Sequence, residues 1–430
     1  MKEKSALSLG EKIKQIRKSK GLSVENLARA AGCNISTISR IESGEMQCSD
    51  KILEAIKKYM GIEGAPLLED ELIVYKGRLN VWEDMAQAGR VADSRAMQKE
   101  LFPIHELPYE HGLSLHYSMI DIMLYQREGN IPAAEEKIKA AESYLDGASD
   151  DLLIAYHCNK GYLVGFNNQR ESLKHYLQAF DLAVDNKKPV ATIALNIGLV
   201  YEKISQPHLA LIYLERANAE YKHARIHATK SIIDGALGSC YMKIGKYKKA
   251  SSLFKISLAQ SESINYQLSS GLALCDMGNI FIENDNAEEG IRHIDKALPY
   301  LEGHNQYILD ALCLKAYGLI RLKKFPECEE VLIHAKSLID GSEMQTIRLE
   351  TLSHAAKLSA GKSSASADYL EHTALPYLKT SDSLKFLALT VCDMLETYYK
   401  KKRNTRQTLL IIAISRDIYK NLFFGDKDAD

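Results

Sequence analysis

The chain has 430 residues, with 55 Lys or Arg against 56 Asp or Glu, a formal net charge of -1 and 46% apolar residues, a balance that fits a water-soluble globular protein. No apolar run reaches the ~18 residues of a membrane span; Leu409 to Ile414 is among the longest. The N-terminus (MKEKSALSLGEKIKQ) lacks a secretory signal and the eight cysteines form no CxxC pair, so a cytoplasmic protein with reduced thiols is expected, without disulfide frame or zinc knuckle.

The charge is unevenly spread. Residues 1–62 hold 12 Lys or Arg and 7 Asp or Glu, a net of +5, which leaves -6 for the remaining 368 residues. A small basic module on a large acidic body points to contact with nucleic acid. With 9 prolines and no sustained apolar–polar alternation, the fold class is all-α.

In chain order, the first helix is predicted from Leu9 to about Ser19, with Leu9, Ile13 and Ile16 on one face and Gly21 as its stop. Ser23 is placed to cap a second helix over Val24 to Ala30, with Leu27 facing inward. Gly32 turns the chain, and Asn34 is placed to cap a third helix from Ile35 to about Ser43. A fourth is predicted from Ser49, with Ile52, Ile56 and Tyr59 on its inner stripe. Two short helices joined by a glycine turn in a basic bundle form a helix-turn-helix.

The stretch GLSVENLARAAGCNISTISRIESGE resembles the XRE (lambda-repressor-like) helix-turn-helix, carried by Leu27-Ala28, Gly32, Ser36-Thr37-Ile38-Ser39-Arg40 and Ile41-Glu42-Ser43-Gly44. Ile38 and Ile41 can pin helix three to the bundle, leaving Ile35, Ser36, Thr37, Ser39 and Arg40 for the major groove. Arg suits guanine, Ser and Thr suit bases or phosphates, and Ile35 suits a thymine methyl. Amides at the starts of helices two and three, at Ser23 and Asn34, can hold phosphates. The resemblance also implies that Arg17 pairs with Glu42 in a structural role. Two positions depart from the family pattern. Val24 replaces a phosphate-touching Gln, and Glu45-Met46-Gln47-Cys48 replaces a basic loop. Both lower the affinity expected of one copy, so a homodimer or higher homo-oligomer is expected on a double-stranded operator, reading half-sites about 34–36 Å apart or multiples of that.

Gly61 to Asp70 (GIEGAPLLED) reads as a boundary, giving a DNA-binding domain over residues 1–62, a linker over 63–71 and a repeat domain over 72–430. In the repeat domain, Gly198, Gly238 and Gly278 recur 40 apart. Each is followed twelve residues later by a small residue (Ala210, Ala250, Gly290) and four further on by a bulky one (Leu214, Phe254, Ile294). The same pair recurs at intervals of 38 as Ala134/Ile138, Ser172/Tyr176, Cys328/Leu332 and Ser366/Leu370, with Ala96 as the possible first member. This is the tetratricopeptide (TPR) pattern, in which a small residue lets two antiparallel helices approach. Seven to nine hairpins are expected, stacked as a right-handed solenoid, with Leu384 to Leu422 as an atypical cap. Lys362 to Ala367 reads as a loop, and Lys400 to Arg403 as a basic helix end.

No catalytic constellation, phosphate loop or cofactor motif is present, so no enzyme activity is expected. His223 and His227, four apart, lack a third ligand at metal-binding spacing, and no metal is expected.

A helix-turn-helix joined to a long TPR solenoid resembles the RRNPP peptide-sensing transcription regulators, most nearly the NprR-like members. The resemblance implies a short imported signalling peptide bound in the concave wall, altering oligomer state or dimer geometry and hence DNA binding. Inward Asn residues are implied to hold its backbone, here Asn159, Asn196 and Asn279, since an amide supplies both donors and an acceptor. Arg321 and Arg348 suit a peptide carboxylate, with Ser239, Asp276 and Tyr317 completing the wall. The alternative is a TPR scaffold that sequesters a signalling protein such as a response regulator, with DNA binding secondary.

Overall fold

A computed structural model describes residues 7–101, 111–221, 227–339, 341–361 and 364–424. Among these residues the chain is helical, with no strand. It divides into two compact units, Met1–Lys188 and Pro189–Asp430.

The first unit opens with four short helices, α1 (Leu9–Ser19), α2 (Val24–Ala30), α3 (Ile35–Glu42) and α4 (Asp50–Met60). Their ends follow from local chemistry. Ser8 and Glu11 form a reciprocal capping box on α1. Gly21, Gly32 and Gly61 take φ of +65° just beyond α1, α2 and α4, where a side chain would be strained. Ser23 caps α2 by accepting from the Asn26 amide at 3.1 Å. Asn34 has the backbone conformation of a cap, but its side chain makes no capping hydrogen bond. The inner stripe of α4 is Leu53, Ile56 and Met60, whereas Tyr59 is exposed. Of the expected stripe Ile52, Ile56 and Tyr59, Ile56 is buried and Ile52 packs against the core, so Tyr59 alone departs from it.

Three helical hairpins follow in this unit: α5 (Glu69–Gln87) with α6 (Val91–Glu100), α7 (His111–Arg127) with α8 (Ile131–Ala141), and α9 (Asp150–Val164) with α10 (Gln169–Asp185). A single apolar core runs from Ile13 through Ile56 and Trp82 to Leu124, so the bundle and the first hairpins share one interior. From residues 63–71, expected as a linker, Ala65, Leu67 and Leu68 join it, while Glu63, Gly64, Glu69 and Asp70 are exposed. Ala65 and Leu67 are buried, the Lys12 ammonium donates to the Leu67 carbonyl at 3.0 Å, and Glu71 accepts from the Leu67 and Leu68 amides.

The second unit contains six hairpins among its described residues. These are α11 (Ala191–Lys203) with α12 (Pro207–Tyr221), α13 (His227–Lys243) with α14 (Tyr247–Ser263), α15 (Gln267–Glu283) with α16 (Ala287–Ala297), α17 (Asn305–Arg321) with α18 (Phe325–Ser337), α19 (Glu343–Ser359) with α20 (Ser364–Tyr369) and α21 (Leu375–Thr380), and α22 (Lys385–Lys401) with α23 (Thr405–Phe424). A π-turn at Leu370–Ala374 joins α20 to α21. Residues 364–367 are therefore helical rather than loop, because Ser366 and Ala367 pack inward; residues 362 and 363 lie outside the described residues.

The repeat signature is a packing device. A Cβ on Gly198 would stand 2.6 Å from the Leu214 side chain, one on Gly238 2.6 Å from the Phe254 ring, and one on Gly278 2.8 Å from the Gly290 carbonyl. Ala210, Leu214, Ala250, Phe254 and Ile294 are buried, as are Ala134, Ile138, Ser172, Tyr176, Cys328, Leu332, Ser366 and Leu370. The first hairpin departs from the series. Ala96 is exposed and Ser94 is the buried small residue, a two-residue shift of face along α6.

Candidate functional site

In the helix-turn-helix, α3 is fixed from its inner side. Ile38 and Ile41 are buried, and Gly10 of α1 lies so close to the Ile41 carbonyl that a Cβ there would be 1.9 Å from its oxygen. Arg17 donates from Nε to Glu42 Oε1 at 2.6 Å and from Nη2 to Glu42 Oε2 at 2.9 Å, with Nη1 on the Leu22 carbonyl. This bidentate pair is buried and holds the end of α3 against α1. The Glu42 hydrogen bond and charge raise the Arg17 pKa despite its burial.

The opposite face of α3 is open. Ile35 is 50% exposed; Ser36, Ser39 and Arg40 are exposed and Thr37 is partly buried. An apolar side chain held half in water at the start of a rigid helix fits contact with a base methyl. Among the described residues the Arg40 side chain reaches only a long, exposed pairing with Glu45, Nε to Oε2 at 4.0 Å, which is weak in water. Ser23 and Asn34 are exposed beside the starts of α2 and α3. Val24 packs partly against the core, so the position where a phosphate-touching Gln is usual serves packing here.

The expected peptide residues fall in both units. Asn159, in the first, is 9% exposed, and its amide donates to the Ala155 carbonyl at 3.1 Å and the Met119 carbonyl at 3.4 Å. Both amide hydrogens are engaged within the chain.

The other seven lie on the first helices of hairpins in the second unit. Asn196 on α11 is partly buried and makes no side-chain hydrogen bond among the described residues. Ser239 on α13 donates to Glu202 Oε1 at 2.9 Å, and Lys243 binds the same carboxylate and donates to the Glu202 carbonyl at 3.0 Å. Asp276 on α15 is partly buried. Burial, reinforced by the nearby Glu202 carboxylate and only partly offset by Lys243, pushes its pKa up to about 7. Asn279, one turn on, makes a weak contact with Met242 Sδ at 3.7 Å. Tyr317 on α17 accepts from Arg321 Nη1 at 3.3 Å, and Arg321 also pairs with Asp285. Arg348 on α19 pairs with Asp310.

Both expected carboxylate receptors, Arg321 and Arg348, are thus already paired, while among the described residues Asp276 and Asn196 make no side-chain hydrogen bond or ion pair. Glu202 and Lys243 were not anticipated from the sequence. Their signal was there to be found, because Lys243/Glu202, Arg321/Asp285 and Arg348/Asp310 are opposite charges 41, 36 and 38 residues apart, close to the repeat period. Among the described residues no group of three potential ligands could hold a metal ion, and residue 223 lies outside them, as does the side chain of His227. No described helix is long and apolar enough to cross a membrane.

The class is defined at this point: a helix-turn-helix domain followed by a TPR-like run of helical hairpins. Residues 8–69 match the family described as "Helix-turn-helix domain". No curated protein matches the sequence. Among solved structures, the apo quorum sensor NprR from B. thuringiensis is 15% identical, superposes with a TM-score of 0.64, and covers 80% of this chain and 98% of its own. NprR in complex with its cognate peptide NprX is 16% identical with a TM-score of 0.67, over 80% and 99%. A Rap protein complexed with Competence and Sporulation Factor is 14% identical with a TM-score of 0.68, over 81% and 98%. At these identities the likeness is one of fold alone.

Proposed function

We propose that this protein is a DNA-binding transcription regulator whose repeat domain binds a short signalling peptide, with binding altering oligomer state or dimer geometry and so operator affinity. The observation that carries the reading is α3. Its inner face is locked by Gly10, Ile38, Ile41 and the Arg17–Glu42 pair, while Ile35, Ser36, Ser39 and Arg40 stay in solvent. A rigid element with an exposed row of base- and phosphate-seeking side chains has the anatomy of a groove reader.

Peptide binding is supported by the chemistry of the second unit's hairpins. Among the described residues Asn196 makes no side-chain hydrogen bond, and Asp276 is a partly buried carboxyl that forms no ion pair, with Lys243 offsetting its burial only in part. An extended peptide supplies both what an amide needs and a positive group for the acid. Arg321 and Arg348 can receive its carboxylate by exchanging Asp285 or Asp310 for it. The peptide would favour one conformation of the hairpin array and shift the population of DNA-competent dimers.

Selection of operator sequences from random duplex DNA by the full-length protein, at fixed salt, tests the reading. Enrichment of a two-fold-related sequence is expected, and recovery of no motif contradicts it. Capture of a signalling protein is a second reading, favoured by the exposed Ile212, Ile256 and Ile333 on α12, α14 and α18.

A further inference from the structure

Helix α23 has a buried face and an open one. Ile411, Ile418 and Leu422 fill the core it shares with α22. On the open face Leu409 is 61% exposed, Ile412 39% and Tyr419 54%, and with Arg416 they recur at i, i+3, i+7 and i+10, which puts all four on one stripe. Leu410, also exposed, lies about 100° round from Leu409 on the side away from Ile412. Beside the stripe is a cavity of about 450 Å³, lined by Ile412, Ser415, Arg416, Tyr419 and Lys420 of α23 and by Glu396 of α22.

The charges around this stripe are mostly of one sign. Lys401, Lys402 and Arg403 crowd the turn that leads into α23, and Arg406, Arg416 and Lys420 follow on the helix. All six are exposed, and none forms an ion pair among the described residues. Asp417 is the one acid on α23, and Glu396 is paired with Lys400. An exposed apolar stripe of this kind marks a contact surface. Duplex DNA would meet the cations but leave Leu409, Ile412 and Tyr419 in water. A bilayer would leave the cavity unfilled and press Arg416, inside the stripe, toward acyl chains. A second copy of the same face would bring its unpaired cations against these.

We propose that this face of α23 binds an acidic amphipathic helix of a partner protein. Apolar side chains of the partner lie on Leu409, Ile412 and Tyr419, one bulky group enters the cavity, and flanking carboxylates meet Arg406, Arg416 and Lys420. Arg416 sets the register, because it interrupts the apolar row and needs an acid opposite it. The contact lies on other helices than the groove reader and the wall expected for the signalling peptide, so it stands or falls without either.

The probe is a stapled helical peptide of about 15 residues with Leu, Phe and Leu at i, i+3 and i+7 and Glu on both flanks, titrated with the full-length protein and read by fluorescence anisotropy. It should bind about tenfold or more tightly than the same peptide with Lys flanks. Leu409→Asp or Ile412→Asp should weaken it about tenfold or more, whereas Leu410→Asp and Asn196→Ala should leave it unchanged. Arg416→Glu with Lys420→Glu should invert the preference toward the Lys-flanked peptide. The α23 positions are all exposed, and unchanged thermal melting of each variant separates lost binding from unfolding. Equal affinity for the two peptides overturns the proposal, as does binding that survives Leu409→Asp and Ile412→Asp or is lost on Asn196→Ala. Capture by phosphatidylserine vesicles that depends on Leu409 would assign the face to a membrane, and self-association lost on Leu409→Asp would assign it to a second copy; either result also overturns it.

Discussion

The Asp276 carboxyl offers the sharpest physical test of the repeat domain. Its pKa stands at about 7 against an ordinary 3.8, chiefly because burial disfavours the charged form. That difference corresponds to about 4 kcal/mol between the protonation states, an upper figure because the residue keeps some solvent contact. The sign follows from proton counting. Between pH 4 and 7 the folded protein holds a proton that the unfolded chain has lost, so this group's contribution falls as pH rises and is fully lost above about 7. Asp276→Asn removes the titration without changing shape. Hydrogen exchange of α15 amides from pH 5 to 8, corrected for intrinsic rates, should show wild-type protection falling with pH and a much flatter variant. Identical slopes in the two proteins would refute the burial argument. A peptide carrying a positive group should reverse the loss, and its affinity should rise with pH over the same window.

Three further outcomes follow from individual contacts. Glu42→Ala leaves the buried Arg17 guanidinium with the Leu22 carbonyl as its remaining recorded partner, and should cost about 3 kcal/mol; exchange of α1 and α3 amides reports it, and a double replacement of Arg17 and Glu42 by Met and Leu should recover much of the loss. Arg40→Ala should weaken operator binding more than binding to random DNA, read by competition at fixed salt, with equal loss removing Arg40 as a base reader. Gly238→Ala drives a methyl into the Phe254 ring, 2.6 Å away, and should destabilise the second unit by about 1–3 kcal/mol, with Phe254→Leu relieving much of it; chemical denaturation followed at the second unit measures both.

The helix-turn-helix was legible because its signals are local. Ser23 and the glycines at 21, 32 and 61 mark helix ends from within a few residues, and the α2 and α3 boundaries agree with them. The repeat glycines were legible for a related reason: Gly198, Gly238 and Gly278 meet partners at a fixed short spacing. Failures came where a face had to be chosen without its neighbour. Tyr59 and Ala96 each satisfy helical periodicity yet point away from a core assembled from other helices. The bonding of the expected ligand wall was the least legible, because it joins helices about one repeat apart. Whether Asn159 faces a ligand or the Met119 carbonyl depends on how α7 lies against α9, which residue types alone do not state.

The central claim is that peptide binding and DNA binding are coupled in this one chain. The most direct measurement is the affinity of the full-length protein for its selected operator, at one stated salt, across a titration of basic, neutral and acidic short-peptide pools. The account predicts that at least one pool, the basic one foremost, changes operator affinity by about tenfold or more in either direction, and that Asn196→Ala removes the effect without altering affinity in its absence. Operator affinity unchanged by every pool would contradict it.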